Sequence, residues 1–168
     1  MQVYKAIVER RSVRRFKNKK ISLELITRIL NAGRWAPSGL NNQPWRFVVV
    51  SNPDLKQKIA ACTDSAKTIN SAPCVIAVFL DKKNSYNRDK DMQAVGACVQ
   101  NMMLGIFDLR LGGCWLGEIL NKKTKIAKLL NVPRSYELAA VVAFGYADEK
   151  PRAVRRSRIE QLVFKEIR

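Results

Sequence analysis

The chain has 168 residues, of which 47% are hydrophobic, and this size and composition predict a folded protein rather than a disordered one. It carries 31 Lys and Arg against 14 Asp and Glu, a formal net charge of +17, so nucleic acids and phosphorylated small molecules are both candidate partners. It contains no His and no C-x-x-C pair, which argues against a zinc site and against catalysis by imidazole.

Four cysteines are scattered through the sequence, and three of them, Cys74, Cys98 and Cys114, lie in apolar surroundings. We predict that these three are buried free thiols, which fits a reducing compartment. The N-terminus lacks a secretory pattern, and the longest apolar runs, such as residues 74–80, are too short to span a bilayer. We therefore expect a cytoplasmic protein without a membrane segment.

The N-terminal part is predicted to form two helices that are separated by a basic stretch. Val3 and Ile7 fall at helical spacing, and this short helix ends near Arg10. Ser22 is a candidate N-cap for the second helix, whose apolar positions recur at intervals of three and four until Gly33. The second helix should therefore bury one face.

The basic stretch between these helices, residues 10–16, alternates Arg with Ser and Val. If it is extended, Arg10, Ser12 and Arg14 share one face, because side chains alternate along a strand. Two guanidinium groups beside a hydroxyl suit a phosphate monoester, since Arg supplies planar charged donors and Ser adds a neutral one. Taken alone, the stretch is more typical of a solvated basic run.

Residues 36–45 contain two Pro, one Gly and several amides, a composition that predicts an ordered loop able to carry binding groups. The β-branched run 46–50 is predicted to be a strand buried on both faces, and Asn52 is the predicted N-cap of a helix over 53–62. Residues 74–80 are predicted to form a second central strand. We expect the two strands to be neighbours.

The second half of the chain is predicted to begin with a surface loop over 81–91, followed by a long helix over 92–112. Because that helix is apolar nearly all round, we expect it to be central. A short extended segment over 113–117, a helix over 121–131 and a third buried strand over 138–144 complete the predicted core.

A basic arm over residues 150–158 ends the chain, followed by a short apolar element that contains Ile159, Leu162 and Val163. An arm with so few apolar residues must dock on something larger, either its own domain or a partner. No internal repeat and no domain boundary is visible. We therefore expect one domain over residues 1–168.

The sequence lacks the common nucleotide fingerprints, since no G-x-G-x-x-G follows a strand and no P-loop pattern occurs. A phosphate site must then use side chains and loop amides. Three separate stretches form an ordered set instead. They are R-x-S-x-R at 10–14, P-S-x-x-N-x-Q-P-W at 37–45, and the basic pair Arg156 and Arg158.

This ordered set resembles the nitroreductase family of flavin enzymes, and the resemblance covers essentially the whole chain. It includes Gln100 in the long helix and the G-x-x-W-x-G pattern over 112–117. The family implies an α+β fold with a central, mostly antiparallel sheet flanked by helices. It also implies an intertwined homodimer with FMN in the interface and a C-terminal arm, about residues 150–168, that docks on the partner.

The resemblance also implies roles for individual residues. Arg10, Ser12 and Arg14 would hold the phosphate, ribityl chain and pyrimidine edge of FMN, while Arg156 and Arg158 would close on the phosphate. The full set of candidate cofactor-binding residues is Arg10, Arg11, Ser12, Arg14, Pro37, Ser38, Gly39, Asn41, Gln100, Leu116, Gly117, Arg156 and Arg158.

The flavin ring would be contacted by both subunits. Gly117 would present its backbone N–H near the ring, because a glycine permits an approach that a Cβ would block. Pro37, Ser38 and Asn41 would come from the other subunit. A cation such as Arg10 beside the pyrimidine edge would stabilise the negative charge of the reduced flavin. We predict no catalytic side chain and no metal, since the flavin itself carries the hydride chemistry.

Several other side chains have simpler interpretations. Trp45 and Trp115 are predicted to be core aromatics rather than substrate platforms. Glu118 is either an acid at a helix start or a site residue. Arg11 and Arg15 lie on the face opposite the proposed site and are expected to contact solvent, although Arg11 is kept in the candidate set.

The activity implied by the resemblance is transfer of a hydride from NADH or NADPH to FMN, and then to nitroaromatics, quinones or related acceptors, by a ping-pong mechanism. The short segment 81–91 leaves the substrate open, because little chain is available there to cover the flavin. A flavoprotein of the same fold could instead carry out enone reduction, dehalogenation or dehydrogenation. A basic nucleic-acid-binding protein is the alternative from another class.

Overall fold

The computed structural model describes residues 2–151 and 154–168 of the chain. Arg152 belongs to the predicted basic arm and lies outside the described residues. The helices and strands in chain order are α1 (Val3–Glu9), α2 (Leu23–Arg34), β1 (Trp45–Val50), α3 (Pro53–Ala60), α4 (Ala66–Ser71), β2 (Cys74–Asp81), α5 (Arg88–Asp108), β3 (Gly112–Leu116), α6 (Lys123–Leu129), β4 (Tyr136–Gly145) and α7 (Ile159–Leu162), with 3₁₀ helices at Gly39–Asn41 and Glu118–Lys122.

The centre of the fold is a four-stranded antiparallel sheet in the order β1-β2-β4-β3. One apolar layer fills the space between the sheet and helices α2 and α5, and a second lies between the other face and helices α3, α4 and α6. Strand β2 is buried along its whole length because it has helices on both sides. The predicted α+β fold with a mostly antiparallel sheet is confirmed.

Strand β1 departs from its prediction. It pairs with β2, as expected, but it is the edge strand of the sheet, and Val49 is 40% exposed. The prediction of a strand buried on both faces was therefore wrong. A β-branched run favours a strand, yet it does not tell how many neighbours that strand will have.

The predicted surface loop over 81–91 is shorter than expected, because α5 begins at Arg88. The Asn87 side chain caps this helix by accepting a hydrogen bond from the backbone N–H of Lys90. Both acidic ends of the segment are buried: Asp81 is 3% exposed and Asp91 is fully buried. The segment is thus anchored at each end rather than lying loosely on the surface.

Asp91 joins the loop before β1 to the loop before α5. Its carboxylate accepts hydrogen bonds from Asn42 Nδ2 at 2.9 Å, Ser85 Oγ at 2.7 Å and the Tyr86 backbone N–H at 3.1 Å. Burial alone would raise the pKa of Asp91, but these donors outweigh burial and hold the pKa below its ordinary value. The ionised carboxylate therefore fixes two loops at once.

The four cysteines Cys62, Cys74, Cys98 and Cys114 are all buried free thiols, which confirms the prediction for the last three. Burial raises the pKa of Cys74 and of Cys98 to about 12, so both remain protonated and unreactive at neutral pH. In the described part of the chain, no helix has the length and apolar character required to cross a bilayer.

Replacing Asp91 with Asn should lower the free energy of unfolding by about 1.5–3 kcal/mol, because a buried charged acceptor loses hydrogen bonds. Since the native pKa of Asp91 is below its ordinary value of 3.8, the wild-type advantage should be complete above that pH and disappear as the pH falls further. Urea unfolding at about ten pH values between roughly 2 and 7 measures both the loss of stability and its dependence on pH.

The matched control is Asp89→Asn, because Asp89 lies in the same first turn of α5 but is 89% exposed. This substitution should change the free energy of unfolding by less than about 0.5 kcal/mol. Equal effects of the two substitutions would show that helix-end charge, rather than the buried hydrogen bonds, accounts for the stability.

Candidate functional site

The basic stretch after α1 is extended, as predicted, and it lies beside strand β3. The Val13 N–H donates to the Gly113 carbonyl at 3.0 Å, and the Lys17 N–H donates to the Tyr146 carbonyl at 2.8 Å. Val13 and Phe16 are buried in the core below this stretch. Burying these two apolar side chains fixes the rotation of the stretch, so that Arg10, Ser12 and Arg14 border one cavity.

That cavity has a volume of about 430 Å³ and is strongly basic. The basic and hydroxyl side chains around it come from the stretch after α1 and from the C-terminal arm. They are Arg10, Arg11, Ser12, Arg14, Lys150 and Arg156. One carboxylate, Glu149, is also in the lining, and its Oε1 accepts a hydrogen bond from the Arg14 backbone N–H at 2.5 Å. We call this the phosphate cavity.

Arg10 is the most constrained cation of the phosphate cavity. Burial, followed by the neighbouring guanidinium groups of Arg156 and Arg11, lowers the pKa of Arg10 below its ordinary value. Its Nε atom is buried and has no hydrogen-bond partner among the described residues. A buried donor surrounded by like charges lacks the anion that would stabilise it. The donor set therefore fits a phosphate group.

A second cavity of about 340 Å³ shares Arg10 and Ser12 with the phosphate cavity. Its remaining lining residues are Gln100, Met103, Trp115 and Gly117. A Cβ built on Gly117 would meet no atom within 4 Å, so the backbone at this position faces open space. The two cavities together can accept a ligand with a phosphate at one end and a flat ring at the other. We call the second one the ring cavity.

Most of the predicted residues from the N-terminal stretch and β3 meet at these two cavities. Arg11 lines the phosphate cavity although it was expected to face solvent, because its Nη1 turns back to the Val8 carbonyl at 2.6 Å. Leu116 is 4% exposed and belongs to the core, so its side chain lies outside both linings. Arg158 is exposed and lies at the start of α7, outside the phosphate cavity.

The two tryptophans differ from each other. Trp45 is 4% exposed and is a core residue, as predicted. Trp115 is 43% exposed and lines the ring cavity, so its assignment to the core was wrong. Strand β3 is the other edge of the sheet, and its outward positions reach the ring cavity instead of a second apolar layer. The motif position of Trp115, two residues before Gly117, was the available signal.

The predicted binding loop at 37–45 lies apart from both cavities in this chain. Ser38 Oγ accepts a hydrogen bond from the Gln43 N–H at 3.0 Å, and this bond closes the loop. Leu40, Asn41 and Gln43 have φ values of 54°, 52° and 45°, a left-handed geometry that side-chain-bearing residues rarely adopt. Pro37, Ser38, Gly39 and Asn41 are absent from the linings of both cavities. Their predicted role through a second subunit stays a prediction.

The structure explains why position 39 is a glycine. A Cβ at this position would collide with the phenol of Tyr86, whose ring covers the glycine. Tyr86 belongs to the segment before α5, which Asp91 holds in place. The short segment thus supports the loop instead of forming a separate cover.

Glu118 is a structural acid in this chain. Its Oε2 accepts hydrogen bonds from Thr63 Oγ1 at 2.5 Å and from the Asp64 N–H at 3.1 Å, and these bonds lower the pKa of Glu118. It thereby ties the 3₁₀ helix after β3 to the turn after α3. It does not line the phosphate cavity or the ring cavity.

Comparisons with known proteins agree with this geometry. The model of the Nitroreductase family matches residues 7–65 and 60–146. A candidate NADH dehydrogenase/NAD(P)H nitroreductase of Archaeoglobus fulgidus is 35% identical over 150 residues, which cover 87% of this chain and 86% of that protein. An iodotyrosine deiodinase of Thermotoga neapolitana is 30% identical over 179 residues, with coverage of 91% and 93%.

Among solved structures, a candidate nitroreductase of Desulfovibrio desulfuricans in complex with FMN is 39% identical and has a TM-score of 0.93. The match covers 100% of this chain and 99% of that chain. The predicted fold and the predicted family resemblance are both confirmed by these similarities.

A methyl group at Gly112 should disturb the packing of Val13, which holds the basic stretch against β3. The Cβ of Gly112→Ala would lie 2.7 Å from Val13 Cβ, and Val13 cannot retreat because its backbone is bonded to Gly113. Overpacking of this kind costs about 1–3 kcal/mol, which urea unfolding would detect as a lower free energy of unfolding.

Gly117→Ala is the control for this substitution, because its Cβ enters open space and its φ of −93° is ordinary for any residue. Measured on protein without bound FMN, its free energy of unfolding should stay within about 0.5 kcal/mol of the wild-type value. Equal losses at the two positions would contradict the view that Val13 fixes the basic stretch against β3.

Proposed function

The chain belongs to the nitroreductase family, and we propose that it is an FMN-dependent oxidoreductase that uses NADH or NADPH to reduce nitroaromatic, quinone or related acceptors. The observation that carries this proposal is the unpaired Nε of Arg10 between two cavities. One cavity offers a cluster of cations and the other offers an open glycine backbone. Bound FMN supplies the hydride-accepting and hydride-donating centre.

The residues of the chain would bind and orient the cofactor. Ser12, Arg14 and Arg156 would hold the phosphate, because guanidinium groups and a hydroxyl make charge-assisted hydrogen bonds to its oxygens. Arg10, which borders both cavities, would reach the pyrimidine edge and stabilise negative charge there. Gly117 would bring its backbone N–H to the ring, since no Cβ stands in the way.

The acceptor would use the same open side of the ring cavity as the nicotinamide. The ring cavity is lined by Gln100, Met103 and Trp115 besides the residues shared with the phosphate cavity, and this lining includes no carboxylate. A single shared face requires the oxidised nucleotide to leave before the acceptor enters. A ping-pong mechanism follows from that requirement.

We also propose that the enzyme is a homodimer whose interface completes the site. Apolar side chains are exposed on α1 and along the C-terminal arm, and a second copy would cover them. They are Val3, Tyr4, Ile7, Val8, Ile159, Leu162, Val163, Phe164 and Ile167. The loop with Pro37, Ser38 and Asn41 would then contact the partner's flavin, and the arm would dock on the partner. Four reduced thiols suit a cytoplasmic enzyme.

Reductive dehalogenation is a second candidate activity. It is favoured by the similarity to the iodotyrosine deiodinase of Thermotoga neapolitana, which extends over most of both chains. The two candidates share the flavin and differ in the acceptor. Turnover of 3-iodotyrosine, with no turnover of nitrofurazone or menadione, would favour dehalogenation.

The purified protein should be yellow and should release FMN on denaturation, with about one FMN per chain. Arg10→Ala and Arg156→Ala should each weaken FMN binding by about 1.5–3 kcal/mol, roughly ten- to hundredfold, because each removes a charged donor to the cofactor. Fluorescence titration of the stripped protein with FMN measures the affinities.

Arg28→Ala is the matched control, since Arg28 is an exposed arginine on α2, outside both cavity linings. It should leave the FMN affinity unchanged. The assignment fails if all three substitutions have the same effect, or if the protein is colourless and binds no flavin.

Anaerobic NADH or NADPH should bleach the bound flavin, and menadione or nitrofurazone should restore its colour. Steady-state rates with the two substrates varied should give parallel double-reciprocal lines, because the nucleotide product leaves before the acceptor binds. Intersecting lines would contradict the ping-pong order, and failure of both nucleotides to reduce the flavin would rule out the proposed activity.

A further inference from the structure

A third cavity lies away from the phosphate and ring cavities. It has a volume of about 450 Å³ and is formed by α6, the loop that follows α6 and the first residues of β4. Lys82, which follows β2, closes one side, and its backbone N–H donates to the Ser135 carbonyl at 2.9 Å. None of the residues that line it takes part in the proposed flavin site. Its size is within the range of ordinary small-molecule sites.

The charges of this cavity are strongly one-sided. Its single carboxylate, Glu137, accepts hydrogen bonds from Lys123 Nζ at 2.6 Å and from Arg88 Nη2 at 3.0 Å. Glu137 is therefore already neutralised by cations, and these bonds hold its pKa at about 2. Across the described residues, Lys82, Lys128 and Arg134 form no ion pair of their own. Three cations thus border one concave space without a counterion.

The wall of the cavity is apolar. Ala127, Val132 and Leu138 contribute aliphatic surface, and Tyr136 contributes a partly buried aromatic ring. Cations at the rim and an aromatic group on the wall match a ligand that has an anionic end and a flat, weakly polar body.

We propose that this cavity is a second ligand site that binds a nucleotide-like anion, with its phosphates at Lys82, Lys128 and Arg134 and its ring against Tyr136 and Val132. The cations come from the loop after β2, from α6 and from the loop before β4, so binding would join three elements of the fold. The site is independent of the flavin proposal.

The test is a calorimetric titration of the FMN-saturated protein with ADP in about 0.1 M salt, where charges more than about 10 Å apart are screened. We expect one saturable ADP site besides the flavin. The Lys128→Ala/Arg134→Ala double variant should bind ADP at least about tenfold more weakly, because two charged donors to the phosphates are lost. Lys82→Ala removes a cation from a different element, the loop after β2, and should also weaken ADP binding.

The matched control is Lys17→Ala/Lys20→Ala, which removes the same net charge at two exposed lysines far along the chain from the cavity. It should leave ADP affinity within about twofold, since charges that do not line the cavity are largely screened at this salt. Arg10→Ala should likewise retain ADP binding, because ADP that had entered the phosphate cavity would be lost with Arg10. Circular dichroism and thermal melting confirm that each variant is folded.

Two further ligands test whether the site recognises both the phosphates and the ring of a nucleotide. Adenosine and pyrophosphate should each bind at least about tenfold more weakly than ADP, because each lacks one of the two recognised parts. Tyr136→Leu should weaken ADP binding and leave pyrophosphate binding unchanged. The proposal is overturned by the absence of saturable ADP binding, by equal losses in the two double variants, by loss of binding in Arg10→Ala, or by a single-stranded oligonucleotide that binds more tightly than ADP.

Discussion

Arg10 and Arg156 border the same cavity, and among the described residues that line it the carboxylate is Glu149, which already accepts a hydrogen bond from the backbone N–H of Arg14. The partly buried Arg10 loses hydration, and the neighbouring Arg156 repels it, so both effects lower the pKa of Arg10. The fold tolerates this arrangement because the rest of the basic stretch is fixed by apolar burial and backbone hydrogen bonds. A bound anion would remove the repulsion and pair the free Nε, so cofactor binding and local stability should be coupled.

The site lies at an edge of the sheet rather than at its centre. Strand β3 ends the sheet on one side, and its N-terminal half bonds to the basic stretch while its C-terminal end leads to the open Gly117. An edge strand has free positions that a central strand does not have, and here Trp115 of β3 lines the ring cavity. Strand β1 ends the sheet on the other side.

The sequence predicted local features well and tertiary features poorly. The shared face of Arg10, Ser12 and Arg14 was predictable because side chains alternate along an extended stretch, and Val13, on the opposite face, is buried. The exposure of Trp115 was not predictable, because an aromatic residue in a short strand is typical of a core unless the strand is known to be an edge.

The buried carboxylate of Asp91 was also missed, since its donors come from two loops that only the fold brings together. Helix α4 was missed because its six residues carry too few apolar positions to show a period.

The ring cavity has a consequence for the source of protons. Its lining residues offer a guanidinium, a hydroxyl, an amide and an indole, and none of these groups changes its protonation state near neutral pH. Under the proposed function, a reduced acceptor would take its proton from water at the half-exposed Trp115 side of the cavity. Acceptors whose reduced oxygen atoms first carry negative charge, such as quinones and nitro groups, would be stabilised by Arg10 until that proton arrives. With the proposed function, such a site would select its acceptors by shape and by electron affinity rather than by a dedicated acid, and the sequence contains no histidine that could supply one.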